Sequence, residues 1–299
     1  MSVGAVLVAA GSGTRLGAAG PKAFVEVAGV PLLVHAARGL LGAAVDVLVV
    51  AVPQGCVEQA TTVLVPEVSS TELWVVEGGA TRQASVWRAL AALDAASNPV
   101  DTVVVHDAAR AFAPASLVAR VVAAVQSGHG AVVPGVPVVD TTKRVGPADA
   151  TGARLVLDTP DRADLVAVQT PQGFDRALLT RAHTAGADRA DDETTAASDD
   201  AGLVEALGAP VWVVAGDDDA WKITTGSDLE RAERMFAPTP APPLRLVRAD
   251  DTVDEAPATG TRHTLPTNRG VDPVGDVPSE PVAHTLPTEP EPPGHKEPQ

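Results

Sequence analysis

The chain has 299 residues, 45% of them apolar, with a formal net charge of −16 and a pI near 4.7. That length holds one large or two small domains with ample core, and the acidity excludes nucleic acid and anionic membrane as bulk partners, because both would repel it. No basic segment precedes the short apolar run at Val3 and no later run reaches the length of a membrane span, so the expectation is a cytoplasmic protein.

The first element is Val3 to Val8, with the length and composition of a buried strand. It runs straight into Ala9-Ala10-Gly11-Ser12-Gly13-Thr14-Arg15-Leu16-Gly17-Ala18-Ala19-Gly20-Pro21-Lys22, the order of a strand feeding a phosphate-binding loop. Gly11, Gly13 and Gly17 let main-chain N–H groups approach an anion, and Arg15 and Lys22 add positive charge beside it. A P-loop is excluded because no Gly-Lys-Ser/Thr is present, and the glycine spacing misses the dinucleotide pattern by one residue. A plain strand-to-helix turn is the competing reading, but two cations in so acidic a chain form a positive island suited to polyphosphate.

Up to about residue 236, strand-like runs at Val45–Val52, Leu73–Val76, Thr102–His106, Ala131–Val133, Leu165–Val168 and Val211–Val214 alternate with helix-like patterns. This predicts an α/β protein with a Rossmann-like, mainly parallel sheet and helices on both faces. Pro31, Pro53 and Pro114 mark helix starts, and the lone Cys56 reads as a buried, inert thiol. The alternation breaks at about 136–162, where Val138–Arg144 and Arg154–Leu157 flank the turn-rich Gly146 to Gly152, predicting a projecting β-arm. From 237 to 299 the chain is Pro-, Thr- and acid-rich, with roughly half of its 26 prolines, and reads as a disordered tail after a catalytic domain spanning 1–236. His-Thr-Leu-Pro-Thr occurs twice there, at His263 and His284, as a docking motif or as drift in low-complexity sequence.

Four further segments end or follow predicted strands, where open α/β sheets bind ligands. Gly78-Gly79-Ala80-Thr81-Arg82 with Ser85 exposes main-chain groups able to read a base edge. His106-Asp107-Ala108-Ala109-Arg110 places Asp107 where a carboxylate can hold a hydroxyl or a magnesium ion, while His106 reads as structural. Asp140-Thr141-Thr142-Lys143, Asp161-Arg162 and Thr170-Pro171-Gln172 follow on the arm and beyond it, and Trp221-Lys222-Ile223-Thr224 comes last. Taken singly, the arm charges could be solvated and the turns structural.

Together, in order and spacing, these segments resemble the 2-C-methyl-D-erythritol 4-phosphate cytidylyltransferases of the non-mevalonate isoprenoid pathway, from about Val3 to Phe236. The resemblance implies magnesium-dependent transfer of CMP from CTP to methylerythritol phosphate, with no covalent enzyme intermediate. It implies that Arg15 and Lys22 stabilise the transition state around the triphosphate and that Arg162 and Lys222 position the attacking phosphate. Cytosine would be read by Gly78, Gly79, Ala80 and Ser85, with Ala9, Ala10, Gly11, Ser12, Gly13 and Arg82 also in the nucleotide site. Asp107, Ala108, Arg110, Thr141, Lys143 and Thr170 would line the sugar and acceptor region, with Asp107 assisting a metal held mostly by the triphosphate. It further implies a homodimer in which the arm carries Arg162 to the neighbouring site. Where family members often have Thr-Asp-Glu-Ala-Ser, this chain has Ser198-Asp199-Asp200-Ala201-Gly202, a departure expected to touch acceptor contacts at most. A cytidylyltransferase for another alditol phosphate such as ribitol 5-phosphate and a catalytically silent nucleotide-binding regulator are the alternatives.

Overall fold

In the computed structural model the described residues are 1–11, 13 and 20–236, within one compact unit, Met1–Pro240. Arg15, Ser12, Gly17 and the whole 237–299 tail with its two repeats lie outside them.

The strands in chain order are β1 (Val3–Val8), β2 (Glu26–Val27), β3 (Val30–Pro31), β4 (Val47–Val52), β5 (Glu72–Glu77), β6 (Thr102–Asp107), β7 (Ala131–Pro137), β8 (Arg144–Ala148), β9 (Arg154–Asp158), β10 (Val166–Val168), β11 (Gln172–Asp175) and β12 (Trp212–Ala215). The helices are α1 (Leu32–Leu41), α2 (Val57–Leu64), α3 (Arg82–Leu93), α4 (Ala115–Gln126), α5 (Arg176–Ala185), α6 (Asp200–Ala206) and α7 (Gly226–Phe236). Eight strands form the main sheet in the order β10-β7-β11-β6-β1-β4-β5, with β12 also on β7. The β5-β4-β1-β6 run is parallel, as is β12 with β7, whereas β10 and β11 are antiparallel to their neighbours.

Burial explains why these strands read as unbroken apolar runs. Along β1, Ala5 and Leu7 pack with α1, α2 and α4, while Val6 packs on the other face with α3, α5 and α6. A strand covered on both faces has no polar side to alternate with. The parallel strands therefore end together, and β1, β5 and β6 deliver their following loops to one edge of the sheet.

Local geometry corrects several expectations. Pro31 and Pro114 do stand at the starts of α1 and α4. Pro53 does not start a helix: its carbonyl accepts the Cys56 N–H at 3.1 Å in a turn, and α2 begins at Val57. Cys56 is half-buried rather than buried, because it occupies that cap. The arm exists, but its first strand is Arg144–Ala148, not Val138–Arg144. The reversal is confined to Asp149–Gly152, where the Asp149 carboxylate accepts from Thr151 N–H, Thr151 Oγ1 and Ala153 N–H and Gly152 takes φ +86°. Pro147 is tolerated within β8 because the β8–β9 ladder shifts register between Val145 and Ala148.

Candidate functional site

The loops after β1, β5 and β6 enclose an open cleft of about 420 Å³ together with Lys22, Lys222 and Thr224. Ala9, Ala10, Gly11, Gly13, Gly79, Ala80, Arg82, Ser85, Asp107 and Ala108 all line it, so most of the residues singled out in sequence converge. The cleft is built at backbone level first. Gly13 has φ +66°, and a Cβ there would lie 2.5 Å from the Lys22 Cβ; glycine thus lets the lysine stem lie against the loop. Gly78 is equally constrained, since a Cβ would fall 2.5 Å from the Ala10 Cβ and 2.8 Å from the Ser85 Oγ. The turns after β1 and β5 meet there.

Ser85 organises the second turn. Its Oγ donates to the Thr81 carbonyl at 2.8 Å and accepts the Gly79 N–H at 3.0 Å, while the Thr81 hydroxyl caps α3 by accepting the Ala84 N–H. Arg82, the first residue of that helix, thereby enters the cleft from a fixed base.

Asp107 is the electrostatic centre. Its Oδ1 accepts from Arg82 Nε at 3.0 Å and its Oδ2 from Lys222 Nζ at 2.8 Å. Burial pushes this carboxyl up, but the neighbouring guanidinium and ammonium outweigh burial and hold it well below the usual carboxylate range. Behind Arg82 lies Asp200, 1% exposed, accepting from Arg82 Nη1 at 2.7 Å and hydrogen-bonded to His183 Nε2 at 2.9 Å. Burial lowers the Arg82 pKa, yet Asp200 and then Asp107 raise it further than burial depresses it. Within the Ser198–Gly202 segment, Asp200 thus bears on the orientation of Arg82. Asp200, Thr81, Glu193 and Thr224 were not singled out in sequence. Nearness to Arg82 and Lys222 could have signalled Thr81 and Thr224, whereas Asp200 reaches Arg82 across 118 positions of sequence.

Lys22 Nζ donates to the Ile223 carbonyl, joining the first loop to the last. Thr170, 5% exposed, sits behind the cleft: its hydroxyl accepts the Asp107 N–H at 3.0 Å and meets His106 Nδ1 at 3.0 Å. His106 is structural, its other ring nitrogen facing the Arg110 carbonyl at 3.2 Å, and burial pushes its pKa down to about 4. Arg110 reaches the carbonyls of Ala220 and Val168, bracing the loop before Lys222 against the end of β10.

Arg162, Thr141 and Lys143 do not line this cleft. They are exposed on the arm, where Arg162 Nη1 donates to the Val139 carbonyl and Lys143 Nζ to the Thr159 hydroxyl. Among the described residues no group of three or more His, Cys, Asp or Glu could hold a metal ion, and both Asp107 oxygens are paired with cations. The described residues here do not fit a protein-held cation cage.

A family profile described as "IspD: 2-C-methyl-D-erythritol 4-phosphate cytidylyltransferase" matches residues 3–237. The 2-C-methyl-D-erythritol 4-phosphate cytidylyltransferase of Nocardia farcinica is 49% identical over 236 residues, covering 79% of this chain and 94% of that protein. The bifunctional enzyme IspD/IspF of Clavibacter michiganensis is 50% identical over 238 residues, and the match spans 54% of that longer protein. Among solved structures, the 2-C-methyl-D-erythritol 4-phosphate cytidylyltransferase of Thermus thermophilus is 38% identical with a TM-score of 0.59, covering 79% of this chain and 98% of its own.

Proposed function

Over residues 3–237 the chain belongs to the 2-C-methyl-D-erythritol 4-phosphate cytidylyltransferase family, and on that premise we propose that its cleft transfers CMP from CTP to 2-C-methyl-D-erythritol 4-phosphate in isoprenoid biosynthesis. The observation that carries this reading is the meeting of Lys22, Lys222, Arg82 and Asp107 around one glycine-rich cleft. An oxygen of the acceptor phosphate attacks the α-phosphorus, the bond to the bridging oxygen of the β-phosphate breaks, and pyrophosphate leaves with the electron pair. The products are 4-diphosphocytidyl-2-C-methyl-D-erythritol and pyrophosphate.

Two polyanions must be brought together, so positioning and charge stabilisation supply the catalysis. Lys22, with Arg15, offsets charge on the triphosphate, while Lys222 holds the acceptor phosphate and is itself aimed by Asp107. Main-chain groups at Ala10, Gly79 and Ala80 read cytosine, while Gly78, its N–H donated to the Val52 carbonyl and its carbonyl accepting from Arg88, lets the two turns meet and Ser85 holds the turn. Ala108, Arg110 and Thr170 shape the sugar and acceptor side. A divalent cation would be held by the triphosphate, where it would offset phosphate charge.

Arg162, Thr141 and Lys143 serve a second copy of the chain in a homodimer. What supports this is their exposure on the arm, together with exposed apolar residues on the arm and sheet edge, among them Leu155 at 75% and Trp212 at 50%. No helix among the described residues is long and apolar enough to cross a membrane.

Product analysis by mass spectrometry tests the reading, with CTP offered against UTP and ATP and methylerythritol phosphate against ribitol 5-phosphate. Formation of the cytidine diphosphate alcohol from CTP and methylerythritol phosphate is expected. Comparable turnover of UTP or ATP would overturn the base assignment, and preference for ribitol phosphate the acceptor.

A further inference from the structure

Lys222 stands on the loop Trp221–Thr225, and α7 grips that loop from outside the cleft. Asp228, in the first turn of α7, accepts hydrogen bonds at 2.8 Å from the Thr224 N–H, the Thr224 hydroxyl and the Thr225 N–H. Its own N–H is directed to the Thr225 hydroxyl at 3.3 Å, closing a reciprocal box at the helix start. Burial pushes the Asp228 carboxyl up, but its bonds to Thr224 and Thr225 outweigh this and hold the pKa at about 2.

The rest of the helix reinforces the grip. Ile223 is fully buried with Ala232 and packs with Leu229, and its N–H donates to the Ala109 carbonyl at 2.8 Å. The Arg231 guanidinium lies 4.5 Å from the centre of the Trp221 ring. No described residue of α7 lines the cleft. The helix therefore influences the cleft through the loop it holds, not by touching what the cleft binds.

The loop needs such support. Lys222 has a long, flexible stem and its side chain is 42% exposed, so the Asp107 pair alone holds it in partly solvated surroundings where an ion pair is weak. A displacement of about 1 Å in a positioning group can cost about a hundredfold in rate.

We propose that Asp228 is a positioning residue for the transfer reaction: by capping Thr224 and Thr225 it fixes the loop that aims Lys222 at Asp107 and offers the Ile223 carbonyl to Lys22. This rests on the cytidylyltransferase reading of the cleft. It acts through the two lysines and makes no contact with substrate.

The test compares full-length Asp228→Ala and Asp228→Asn with Asp175→Ala, which removes a similar cap, the bond from the Leu178 N–H at the start of α5, outside the cleft lining. Asp228→Ala is expected to lower kcat by at least about tenfold, Asp228→Asn by less because it keeps one acceptor oxygen, and Asp175→Ala by under about twofold. In a Lys222→Ala background, Asp228→Ala should cost clearly less than it does in wild type, since one of the two lysines it acts through is gone. Hydrogen exchange across residues 221–225 should quicken in Asp228→Ala and not in Asp175→Ala.

Equal activity losses in Asp228→Ala and Asp175→Ala would overturn the proposal, as would an undiminished cost in the Lys222→Ala background; either would make Asp228 a stability residue only. Wild-type protein that forms no cytidylyl product would instead overturn the reaction. In that event unchanged exchange at 221–225 in Asp228→Ala would overturn the loop-holding role independently.

Discussion

Lys222 Nζ lies 2.8 Å from Oδ2 of Asp107 across 115 positions of sequence, tying the loop before α7 to the carboxyl end of the central strand β6. Because Arg82 takes the other oxygen, the carboxylate sets the places of two cations at once.

Asp107→Asn should therefore do more than remove one contact. It takes away the anion that Arg82 and Lys222 share, but Arg82 keeps Asp200 and Lys222 is 42% exposed, so the stability cost should fall below the roughly 3–5 kcal/mol of a stranded buried charge. We expect a fall in kcat of at least about a hundredfold together with a lowered urea midpoint. Wild-type turnover with lowered stability alone would show that Asp107 serves the fold only.

Gly78→Ala should act on nucleotide binding. Its new methyl group would collide with the Ala10 Cβ and the Ser85 Oγ, and overpacking of this kind costs about 1–3 kcal/mol. The turns after β1 and β5 would separate, raising KM for CTP more than for the acceptor. Equal changes in both KM values, measured by initial rates, would contradict a base-reading role for this turn.

The arm should complement across copies. Lys22 lines its own cleft and Arg162 does not, so Lys22→Ala and Arg162→Ala chains would each lack a different half of a shared site. Random reassortment should give about half mixed dimers, each with one complete site of two, and hence about a quarter of wild-type activity. Native mass spectrometry would establish the mixing, and mixed dimers as inactive as their parents would return Arg162 to its own subunit.

Acid should destabilise the fold through His106. Its pKa falls from 6.5 to about 4 on burial, so the folded state binds fewer protons than the unfolded chain between those values. The stability is fully present above 6.5 and is lost as pH falls toward about 4, at up to about 1.4 kcal/mol per pH unit. Urea midpoints from pH 7.5 to 4.5 should show this slope in wild type and a flatter one in His106→Gln. Parallel slopes would rule out His106 as the cause.

The parallel core was legible because strands buried on both faces write unbroken valine runs into the sequence, and the turn after β1 because Gly13 takes a positive φ and packs against the Lys22 stem. The antiparallel course of β10 was not legible, since a short apolar strand pairs in either direction, and β11 was not legible as a strand at all, since Gln172-Gly173-Phe174-Asp175 carries no apolar run. Asp200 escaped for a related reason. An aspartate at a helix start reads as a cap, and here Asp199 is the cap, accepting the Gly202 N–H, while its neighbour turns inward to Arg82. Which of two adjacent carboxylates is buried depends on what lies across the fold from them. Pro147 misled in the other direction, because a ladder that shifts register leaves room for a residue without an N–H.

The bond from Lys22 to the Ile223 carbonyl has a consequence for order of synthesis. Every strand of the main sheet is complete once Ala215 has been made, yet the partner of Lys22, the amine of Lys222 and the helix that steadies both come afterwards. A nascent chain can complete its main sheet before Lys222 and the buried Ile223 and Ala232 beside it have been made. On the role proposed for Lys222, the sheet and the activity are then acquired at separate points, divided by some twenty residues of translation.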